Sequence, residues 1–579
     1  MNLIDALEIL KRPTSDAARD LNVFLACGFT PLHLQTFLAA ELRVLLPGYR
    51  VEIRTGIFGD LIGNLERLDA SGVNSLVVVV EWGDLDPRLA IRSLGGWRPA
   101  NLPDIGESVS QTAYRLQRVL VQVSQLVPTV VCMPTLPLPP MFSTRPAQAG
   151  SSEMQIRYTS VSLTASLSRQ PGIRIANAQL LDEISPLGGR LDVKSEVMTG
   201  FPYSLHHASA LGGILASLAH IRSPKKGLIT DLDDTLWAGI LGEDGVDGIS
   251  WHLERHTHMH GLYQQFVASL AGAGILIGVA SKNHPAIVEQ AFDRSDLHVS
   301  RNDIFPFEVH WSRKSESVAH ILNTWNVGAD SVVFIDDSPM EVAEVKAAFP
   351  ELECVAFPKA DYQGVWDLLK SLRDTFGKPF LTEDDLLRLH SIRDASAWRD
   401  VVQSHAESSD DFLKAAEATI VFDCSRQSGD VRAFELVNKT NQFNLNGKRF
   451  GESEWLSFFN DPAAFLLTAS YEDKYGPLGK IAVIMGKVRG LKLYVNAWVM
   501  SCRAFSRRIE YQCLKQLFET LGPDEIVFEY EATPRNGPFR DFFAELLGAP
   551  PAPGACLSRD LFAMKAPPLF HQVKGTVNV

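Results

Sequence analysis

The chain has 579 residues, of which 46% are hydrophobic and 21% are charged, and its formal net charge is -13. This length exceeds what one hydrophobic core serves, so we expect two to four domains of roughly 100–200 residues each. The acidic balance argues against nucleic acid as the main partner, because a phosphate backbone attracts basic surfaces. The chain has no uninterrupted run of about 18 apolar residues, the length that a bilayer span requires. We therefore expect no membrane partner.

The first residues, MNLIDALEILKRP, lack the basic leader and apolar core of a secretory signal, and we expect a cytoplasmic protein. None of the cysteines shows the C-x-x-C spacing of zinc sites, so we expect reduced thiols. The seven are Cys27, Cys132, Cys354, Cys424, Cys502, Cys513 and Cys556.

Residues 1 to about 220 alternate apolar strands with helical stretches. Near-continuous apolar strands are typical of a parallel sheet covered on both faces, and the alternation predicts a doubly wound domain. The Pro-, Ser- and Gly-rich stretch from 136 to 152 predicts a long loop. The predicted strands are 23–27, 51–56, 75–82, 129–134 and 173–181, and the predicted helices are 32–46 and 108–127.

The next stretch, GLITDLDDTLWAGILGEDG at 227–245, has an apolar strand followed by two carboxylates at D-x-D spacing. A carboxylate at a strand end can attack phosphorus and hold a divalent cation, and a second can protonate the leaving oxygen and activate water. We therefore predict Asp231 as nucleophile, Asp233 as general acid and base, and the Thr235 hydroxyl as a phosphate ligand. The alternative is a surface turn rich in Asp.

Three later stretches supply what this chemistry needs. Ser281 follows a second apolar strand and offers a hydroxyl to a phosphoryl oxygen, while Lys314 offers a cation. A third strand, in SVVFIDDSP, ends in Asp336 and Asp337. Together with Asp231 and the main-chain carbonyl of Asp233, these two carboxylates predict an oxygen-rich Mg²⁺ site.

Four histidines lie between the first two motifs, in WHLERHTHMHGLYQQF. His256 and His260 are four residues apart, which is a metal-binding spacing on a helix. No carboxylate or Cys completes a zinc signature, so we favour a loop that leads into a helix. Because only a short segment separates the first two motifs, we predict a minimal cap and a site open to a protein-tethered substrate. The other two histidines are His252 and His258.

From residue 382 a charged helical connection leads into a last domain that mixes strands and helices. Its predicted strands are EATIVFDC, AFLLTASYED, GKIAVIMGKV, KLYVNAWVMSC, DEIVFEYEA and one near ACLSRDLFAMK, and its predicted helices are SGDVRAFELVNKTNQFNL, RRIEYQCLKQLFETL and GPFRDFFAELL. Cys502 lies at the end of a strand, where a thiol of lowered pKa can take an acyl group; a buried structural cysteine is the alternative.

Each of the three regions resembles a known fold. D-L-D-D-T-L, a strand-end Ser, a Lys and a strand ending in D-D form the motif set of the haloacid dehalogenase (HAD) superfamily, whose fold is a Rossmannoid core. The resemblance implies the roles given above for Asp231, Asp233, Ser281, Lys314 and Asp336. Residues 1–220 resemble the doubly wound, flavodoxin-like domain of SGNH hydrolases. Residues 376–579 resemble a linker helix followed by a GNAT-like α+β domain.

The first and third predicted domains differ from the families they resemble in their active-site motifs. Where an SGNH hydrolase has its nucleophilic Ser, this chain reads Ala26-Cys27-Gly28-Phe29-Thr30. Cys27 or Thr30 would have to replace that Ser, with His206 or His207 as base, so we expect a degenerate site. The GNAT pyrophosphate turn normally places a diphosphate at a helix N-terminus. Here both of its glycines are missing, and Arg503, Arg507 and Arg508 are the candidate pantetheine-binding residues.

The blocks DLDDTLWAGILGEDG, GVASKNHPAIVEQAF, SVVFIDDSPMEVAEV, ELVNKTNQFNL and MSCRAFSRRIE together resemble the FkbH-like family of natural-product assembly lines. The resemblance implies that 1,3-bisphosphoglycerate loses phosphate and that its glyceryl unit is loaded on an acyl carrier protein in polyketide or related biosynthesis. Family members often carry Cys before the second-motif Ser, where this chain has Ala280. Either the acyl group passes directly to the carrier thiol, or Cys502 serves instead, or the chain has lost glyceryl transfer and kept phosphatase or another activity. The alternative functions are a phosphatase without acyl transfer and a non-catalytic scaffold.

Overall fold

The computed structural model describes residues 1–14, 18–220, 224–378, 380–382, 385–389, 392–393, 410, 413–414, 416–425, 430–440, 442–474, 476–501, 504–505, 507–533 and 535–577. The chain divides into two compact units. The first comprises Met1–Arg222 with Phe450–Asp461, and the second comprises Ser223–Arg449 with Pro462–Val579. The domain boundaries at 220 and 375 stay predictions. Among the described residues, no helix combines the length and the apolar character that a bilayer span requires.

The first unit is built on a parallel five-stranded sheet in the order β2-β1-β3-β4-β5. Alternate residues of β3 enter two different cores, Leu76 and Val78 on one face and Val77 and Val79 on the other. Helices cover both faces, which confirms the predicted α/β class. The strands are β1 Arg19–Cys27, β2 Tyr49–Thr55, β3 Ser75–Val79, β4 Thr129–Cys132 and β5 Ile173–Ile175. The helices are α1 Leu3–Lys11, α2 Leu32–Leu45, α3 Leu61–Glu66, α4 Trp82–Leu85, α5 Leu102–Ser124, α6 Ser151–Leu167, α7 Ala178–Ile184, α8 Val193–Thr199 and α9 Leu205–Ala219.

The prediction of one strand over 173–181 was wrong beyond Ile175. Asn177 accepts hydrogen bonds from the main-chain N–H groups of Gln179 and Leu180, which begins α7 at Ala178. An Asn in this position satisfies N–H groups that a helix leaves unpaired, so it favours the helix over the strand.

A second parallel sheet, in the order β10-β9-β6-β7-β8, lies in the second unit. Its central strand β6 is fully buried, and Leu228 and Ile229 enter cores on opposite faces. The segment between β6 and β7 forms a short helix and α11, in line with a minimal cap. The strands are β6 Gly227–Thr230, β7 Leu276–Ser281, β8 Ile304–Val309, β9 Val332–Asp336 and β10 Glu353–Ala356. The helices are α10 Leu241–Asp244, α11 His258–Gly272, α12 Pro285–Phe292, α13 Lys314–Trp325, α14 Pro339–Ala348 and α15 Tyr362–Phe376.

The third sheet, in the same unit, has the order β17-β16-β15-β14-β13-β11-β18, with β12 paired to β15. Neighbours β11, β13, β14 and β15 run antiparallel, whereas β15 and β16 run parallel. The strands are β11 Thr419–Ser425, β12 Phe443–Asn444, β13 Ala464–Asp473, β14 Gly476–Arg489, β15 Lys492–Met500, β16 Glu525–Phe528, β17 Ala555–Ser558 and β18 Gln572–Val577. Helices α16 Val431–Lys439, α18 Ile509–Thr520, α19 Gly537–Leu547 and α20 Arg559–Lys565 belong to the second unit, and α17 Glu452–Phe458 belongs to the first.

One prediction for this region was wrong in part. The helix predicted over 428–445 ends at Lys439, and Phe443 and Asn444 pair instead with β15. The segment that carries α17 belongs to the first unit, where Glu452 forms an ion pair with Arg174 and the Ser453 hydroxyl donates to the Val73 carbonyl at 3.0 Å. Most of the charged connection at 383–400 lies outside the described residues.

Candidate active site

Three carboxylates and one ammonium meet at the carboxyl edge of the second sheet. Asp231 follows β6, Asp336 ends β9, and Lys314 begins α13. One carboxylate oxygen each of Asp231, Asp336 and Asp337 lies within 4.8 Å of the other two. Lys314 Nζ lies 2.9 Å from Asp231 Oδ2 and 2.5 Å from Asp336 Oδ2. Parallel strands end at one edge, which is why residues far apart in sequence come together here.

Three of these four groups are deeply buried: Asp231 is 6% exposed, Lys314 3% and Asp336 0%. Burial raises the pKa of Asp231 to about 7; the Lys314 ammonium opposes that rise, and the Asp336 charge adds to it. Burial likewise raises the pKa of Asp336, against the opposing charge of Lys314. One lysine therefore offsets only part of the charge of two buried carboxylates.

Two buried oxygen atoms in this site are unsatisfied. Within the described part of the chain, Asp231 Oδ1 and Thr235 Oγ1 have no hydrogen-bond partner. A buried polar atom without a partner costs free energy, so binding of an ion, a ligand or a water molecule to it is favoured. Carboxylate oxygens grouped at this spacing fit a hard divalent cation such as Mg²⁺, and a hydroxyl beside them fits a phosphoryl oxygen.

Asp233 is held in a fixed orientation beside the cluster. Its Oδ1 accepts hydrogen bonds from Trp237 Nε1 at 2.9 Å and from the Leu241 main-chain N–H at 3.2 Å. Its Oδ2 accepts one from Asn283 Nδ2 at 2.9 Å, and Asn283 also donates to Ser281 Oγ at 3.3 Å. Asn283 thus connects the predicted acid/base to the predicted phosphate ligand.

The sequence analysis missed Asn283, Lys359 and Asp234. Asn283 is two residues after Ser281 in a strand-end turn, a position that could have indicated a polar role. Lys359 Nζ lies 2.6 Å from Asp234 Oδ2 and 2.8 Å from Asp337 Oδ2, so it links the loop after β6 to the loop after β9. No local pattern marks Lys359, because both of its partners are distant in sequence.

The structure separates the four histidines. His256 lies before α11 in a left-handed conformation, and His260 is the third residue of the helix, so the two do not share a helix face. His252 is within 3.0 Å of Asp296. Among the described residues, Asp231, Asp336 and Asp337 form the one cluster of potential metal ligands. His256 and His260 instead line a cavity of about 150 Å³ together with Asp234, Lys359 and Tyr362.

The carboxyl edge of the first sheet carries the candidate hydrolase residues. The Cys27 thiol donates to the Phe29 carbonyl at 3.2 Å, and burial, with the nearby Asp84 charge, raises the pKa of Cys27 to about 12. A thiol must ionise to act as a nucleophile, so this environment opposes catalysis by Cys27. The Thr30 hydroxyl donates to the Thr199 carbonyl at 2.9 Å, which occupies its proton.

The two histidines at the start of α9 differ. His206 Nε2 is 3.0 Å from the Ile184 carbonyl at the surface. His207 is buried between two hydroxyls, with Nε2 2.9 Å from Thr135 Oγ1 and Nδ1 2.9 Å from Ser185 Oγ. Burial lowers the pKa of His207 to about 3, so its imidazole is neutral at physiological pH.

The candidate pantetheine residues are only partly described. Cys502 and Arg503 lie outside the described residues. Arg507 is 2% exposed, and its Nε is 3.4 Å from Asp473 Oδ2, so this guanidinium is buried in an ion pair. Arg508 is partly exposed and donates to Asp410 Oδ1 at 2.6 Å and to the Pro568 carbonyl at 2.9 Å.

No protein-family model and no curated protein matches the chain. Among solved structures, it is similar to the N-terminal part of protein BF1531 from Bacteroides fragilis, which contains a phosphatase domain complexed with Mg. The TM-score is 0.52 at 20% identity, and the alignment covers 66% of this chain and 100% of that chain. A phospholipase A1 from Streptomyces albidoflavus NA297 gives a TM-score of 0.25 at 16% identity, covering 35% of this chain and 98% of that chain. At 20% identity the first similarity concerns the fold.

Proposed function

We propose that the chain is a Mg²⁺-dependent phosphatase of HAD type whose nucleophile is Asp231. The observation that carries this proposal is the pair of unsatisfied buried oxygens, Asp231 Oδ1 and Thr235 Oγ1, beside the Lys314 ammonium. The fold similarity to a protein that contains a Mg-complexed phosphatase domain supports it.

Asp231, Asp336 and Asp337 are the carboxylates that would hold Mg²⁺, with the main-chain carbonyl of Asp233 as a further ligand. When bound, the cation supplies charge neutralisation for the transferring phosphoryl group. Lys314 adds a second positive charge, and the hydroxyls of Thr235 and Ser281 bind phosphoryl oxygens. Positioning and charge stabilisation are what phosphoryl transfer chiefly needs.

The chain's own residues then divide the reaction into two steps. An Asp231 oxygen attacks phosphorus, the bond to the leaving oxygen breaks, and Asp233 gives that oxygen a proton. Water next attacks the phosphorus of the aspartyl phosphate, and Asp233 takes the proton from this water. Orthophosphate leaves, and Asp231 is restored. The bonds from Trp237 and Asn283 keep the Asp233 carboxyl directed for both proton transfers.

The finer proposal is that the substrate is 1,3-bisphosphoglycerate and that the glyceryl unit reaches the phosphopantetheine thiol of an acyl carrier protein. The resemblance of five sequence blocks to the FkbH-like family supports it. In this reaction the thiol sulfur forms a bond to the acyl carbon, the acyl C–O bond breaks with loss of phosphate, and the thiol proton passes to solvent. The ester phosphate is then removed through the Asp231 cycle.

Intact mass spectrometry tests the finer proposal. The purified chain is incubated with Mg²⁺, 1,3-bisphosphoglycerate and a pantetheinylated carrier protein encoded beside it. A carrier that gains the mass of one glyceryl group supports the proposal. Phosphate release without this mass supports the coarser function, and an unchanged carrier with no phosphate release contradicts both and favours a scaffold.

Ala280 favours a phosphatase without acyl transfer as the second candidate function. This residue lies on β7 directly before Ser281, is fully buried, and contributes only a methyl group. It therefore offers no thiol for a thioester at the position where FkbH-like proteins often carry Cys. Phosphate release by the parent chain with no glyceryl mass on the carrier, together with glyceryl transfer gained in Ala280→Cys, would favour this second candidate.

A further inference from the structure

Two side chains of α11 hold the main chain of the turn that carries the candidate nucleophile. His260 Nδ1 lies 3.0 Å from the Thr235 carbonyl oxygen, and Gln264 Nε2 donates to the Leu236 carbonyl at 2.9 Å. His260 is 5% exposed and Gln264 is fully buried. Residues four apart lie on one helix face, so α11 fixes two successive carbonyls from the same side.

The chemistry of this contact assigns the proton on the imidazole. A carbonyl oxygen only accepts hydrogen bonds, so Nδ1 of His260 must carry the hydrogen that it donates to Thr235. Burial lowers the pKa of His260, which favours the neutral ring with Nε2 unprotonated. The ring also packs on Phe357 at 5.2 Å between centroids, and the Phe357 N–H donates to the Asp336 carbonyl at 2.8 Å.

We infer that His260 is a positioning residue: through its Nδ1–H bond to the Thr235 carbonyl it fixes the turn that presents Asp231, Asp233 and the Thr235 hydroxyl. This inference rests on the proposed phosphatase function and extends it to a residue outside the HAD motifs. Rotation of the Thr235 peptide would move the unsatisfied Thr235 hydroxyl and the adjacent carboxylates away from the position that phosphoryl transfer needs.

Two amide substitutions separate positioning from mere packing. In His260→Asn the side-chain N–H group lies near the position of Nδ1, whereas in His260→Gln it lies near that of Nε2. Both amides are neutral and polar, so a purely structural role predicts similar losses for the two. A positioning role predicts that only Asn restores the bond to the Thr235 carbonyl.

The experiment measures phosphate release from p-nitrophenyl phosphate with saturating Mg²⁺ in the full chain. We expect His260→Gln to lower kcat by about 10- to 100-fold and His260→Asn to lower it by at most about threefold, since one buried bond is at stake. Because His260 contacts none of the three carboxylates of the acidic cluster in the described structure, the Mg²⁺ concentration for half-maximal rate should change by less than about twofold. His258→Gln, at the exposed first turn of α11, is the matched control.

Equal kcat values for the Asn and Gln variants, at similar melting temperatures, overturn the inference. A second measurement needs no activity: ¹⁵N NMR of histidine-labelled wild-type protein should show His260 protonated at Nδ1. Protonation at Nε2 overturns the inference even if phosphate is released. A wild-type protein that releases no phosphate counts against the proposed function, and the NMR result then decides whether His260 holds this turn.

Discussion

The carboxyl edges of the two parallel sheets use buried polar groups in opposite ways. In the first sheet Glu81 accepts hydrogen bonds from Thr135 Oγ1 at 2.6 Å, from the Tyr203 hydroxyl at 2.7 Å, and from the main-chain N–H groups of Thr135 and Leu136. His207 has a hydroxyl on each ring nitrogen. At the same edge of the second sheet, Asp231 Oδ1 and Thr235 Oγ1 have no hydrogen-bond partner among the described residues.

The difference distinguishes a structural network from a candidate reaction centre at the same place in similar sheets. Because the Thr135 hydroxyl donates to Glu81, it must accept from His207 Nε2–H, so every proton in that network has an assigned partner. The turn after β1 is also occupied: a Cβ on Gly28 would lie 1.6 Å from Asp84 Oδ1. A satisfied network stabilises the fold, whereas unsatisfied atoms leave binding capacity for a ligand.

The largest expected effect is that of Asp231→Asn on phosphate release. The amide keeps the shape of the carboxylate but cannot attack phosphorus or balance a cation, so we expect a loss of more than about 10³-fold in kcat. Phosphate release from p-nitrophenyl phosphate with Mg²⁺ measures it, and Asp423→Asn, on β11, is the control. A variant that retains a tenth of the wild-type rate would falsify the assignment of the nucleophile.

The next effect tests the satisfied network of the first sheet. In Glu81→Gln the new side-chain NH₂ group faces a main-chain N–H group. Two donors cannot bond to each other, so one buried hydrogen bond is lost. We expect the free energy of unfolding to fall by about 1–3 kcal/mol, with phosphate release unchanged. Urea unfolding, monitored by hydrogen exchange of the amides in residues 75–79, measures the change in this free energy. An unchanged stability would mean that this edge is not a structural network.

A smaller effect follows from the raised pKa of Asp231, which burial sets at about 7 against the opposing charge of Lys314. A carboxyl whose pKa is raised on folding costs stability above the folded-state pKa, and that cost disappears as pH falls towards the unfolded value. In metal-free protein, Asp231→Asn should therefore be more stable than the wild type at pH 8, by about 1–2 kcal/mol.

The pH dependence of this difference is the informative quantity. The advantage of the Asn variant should shrink between pH 7 and pH 5, where the wild-type carboxyl takes up a proton. Mg²⁺ should reverse it at pH 8, because a ligand that binds only the folded state stabilises it. Urea unfolding of both proteins between pH 5 and pH 8, in chelator and in Mg²⁺, measures these differences in free energy of unfolding. A difference in chelator that grows towards pH 5 would contradict this account.

Sequence pattern located the parallel strands and the candidate site residues that follow them. Apolar strands ending in Asp231, Ser281 and Asp336 are local signals, and parallel topology brings such ends to one edge. The contacts of Asn283 with Asp233 and of Lys359 with Asp234 and Asp337 join residues 22 to 125 positions apart, so the local sequence does not show them. The histidine stretch likewise has a visible spacing, but the partner of His260 is a main-chain carbonyl 25 residues earlier.

Element boundaries failed where a tertiary contact overrides local propensity. Phe443 and Asn444 continue an apparently helical pattern, but Phe443 packs against Trp498 and Phe539 in the core of the third sheet. The Asn444 side-chain oxygen accepts from the main-chain N–H groups of Asn446 and Gly447. The two ring contacts of Phe443 involve β15 and α19, which are distant in sequence, so the sequence around residue 443 does not show them.

The smallest expected effect concerns Cys27, the residue that would replace the nucleophile of an SGNH hydrolase. Cys27 is 5% exposed, and burial, with the Asp84 charge, raises its pKa to about 12, whereas Cys556 is exposed. At pH 7.5 less than about one in 10⁴ of the Cys27 thiols is ionised, so iodoacetamide should label Cys556 while leaving Cys27 unmodified in the native protein. Peptide mass spectrometry measures both sites, with urea-unfolded protein as the reference for full labelling. Rapid labelling of Cys27 in the native protein would mean that the first sheet also keeps a reactive group at its carboxyl edge. The two edges would then differ in which reactive groups they carry, and not in whether their buried polar groups are already hydrogen-bonded.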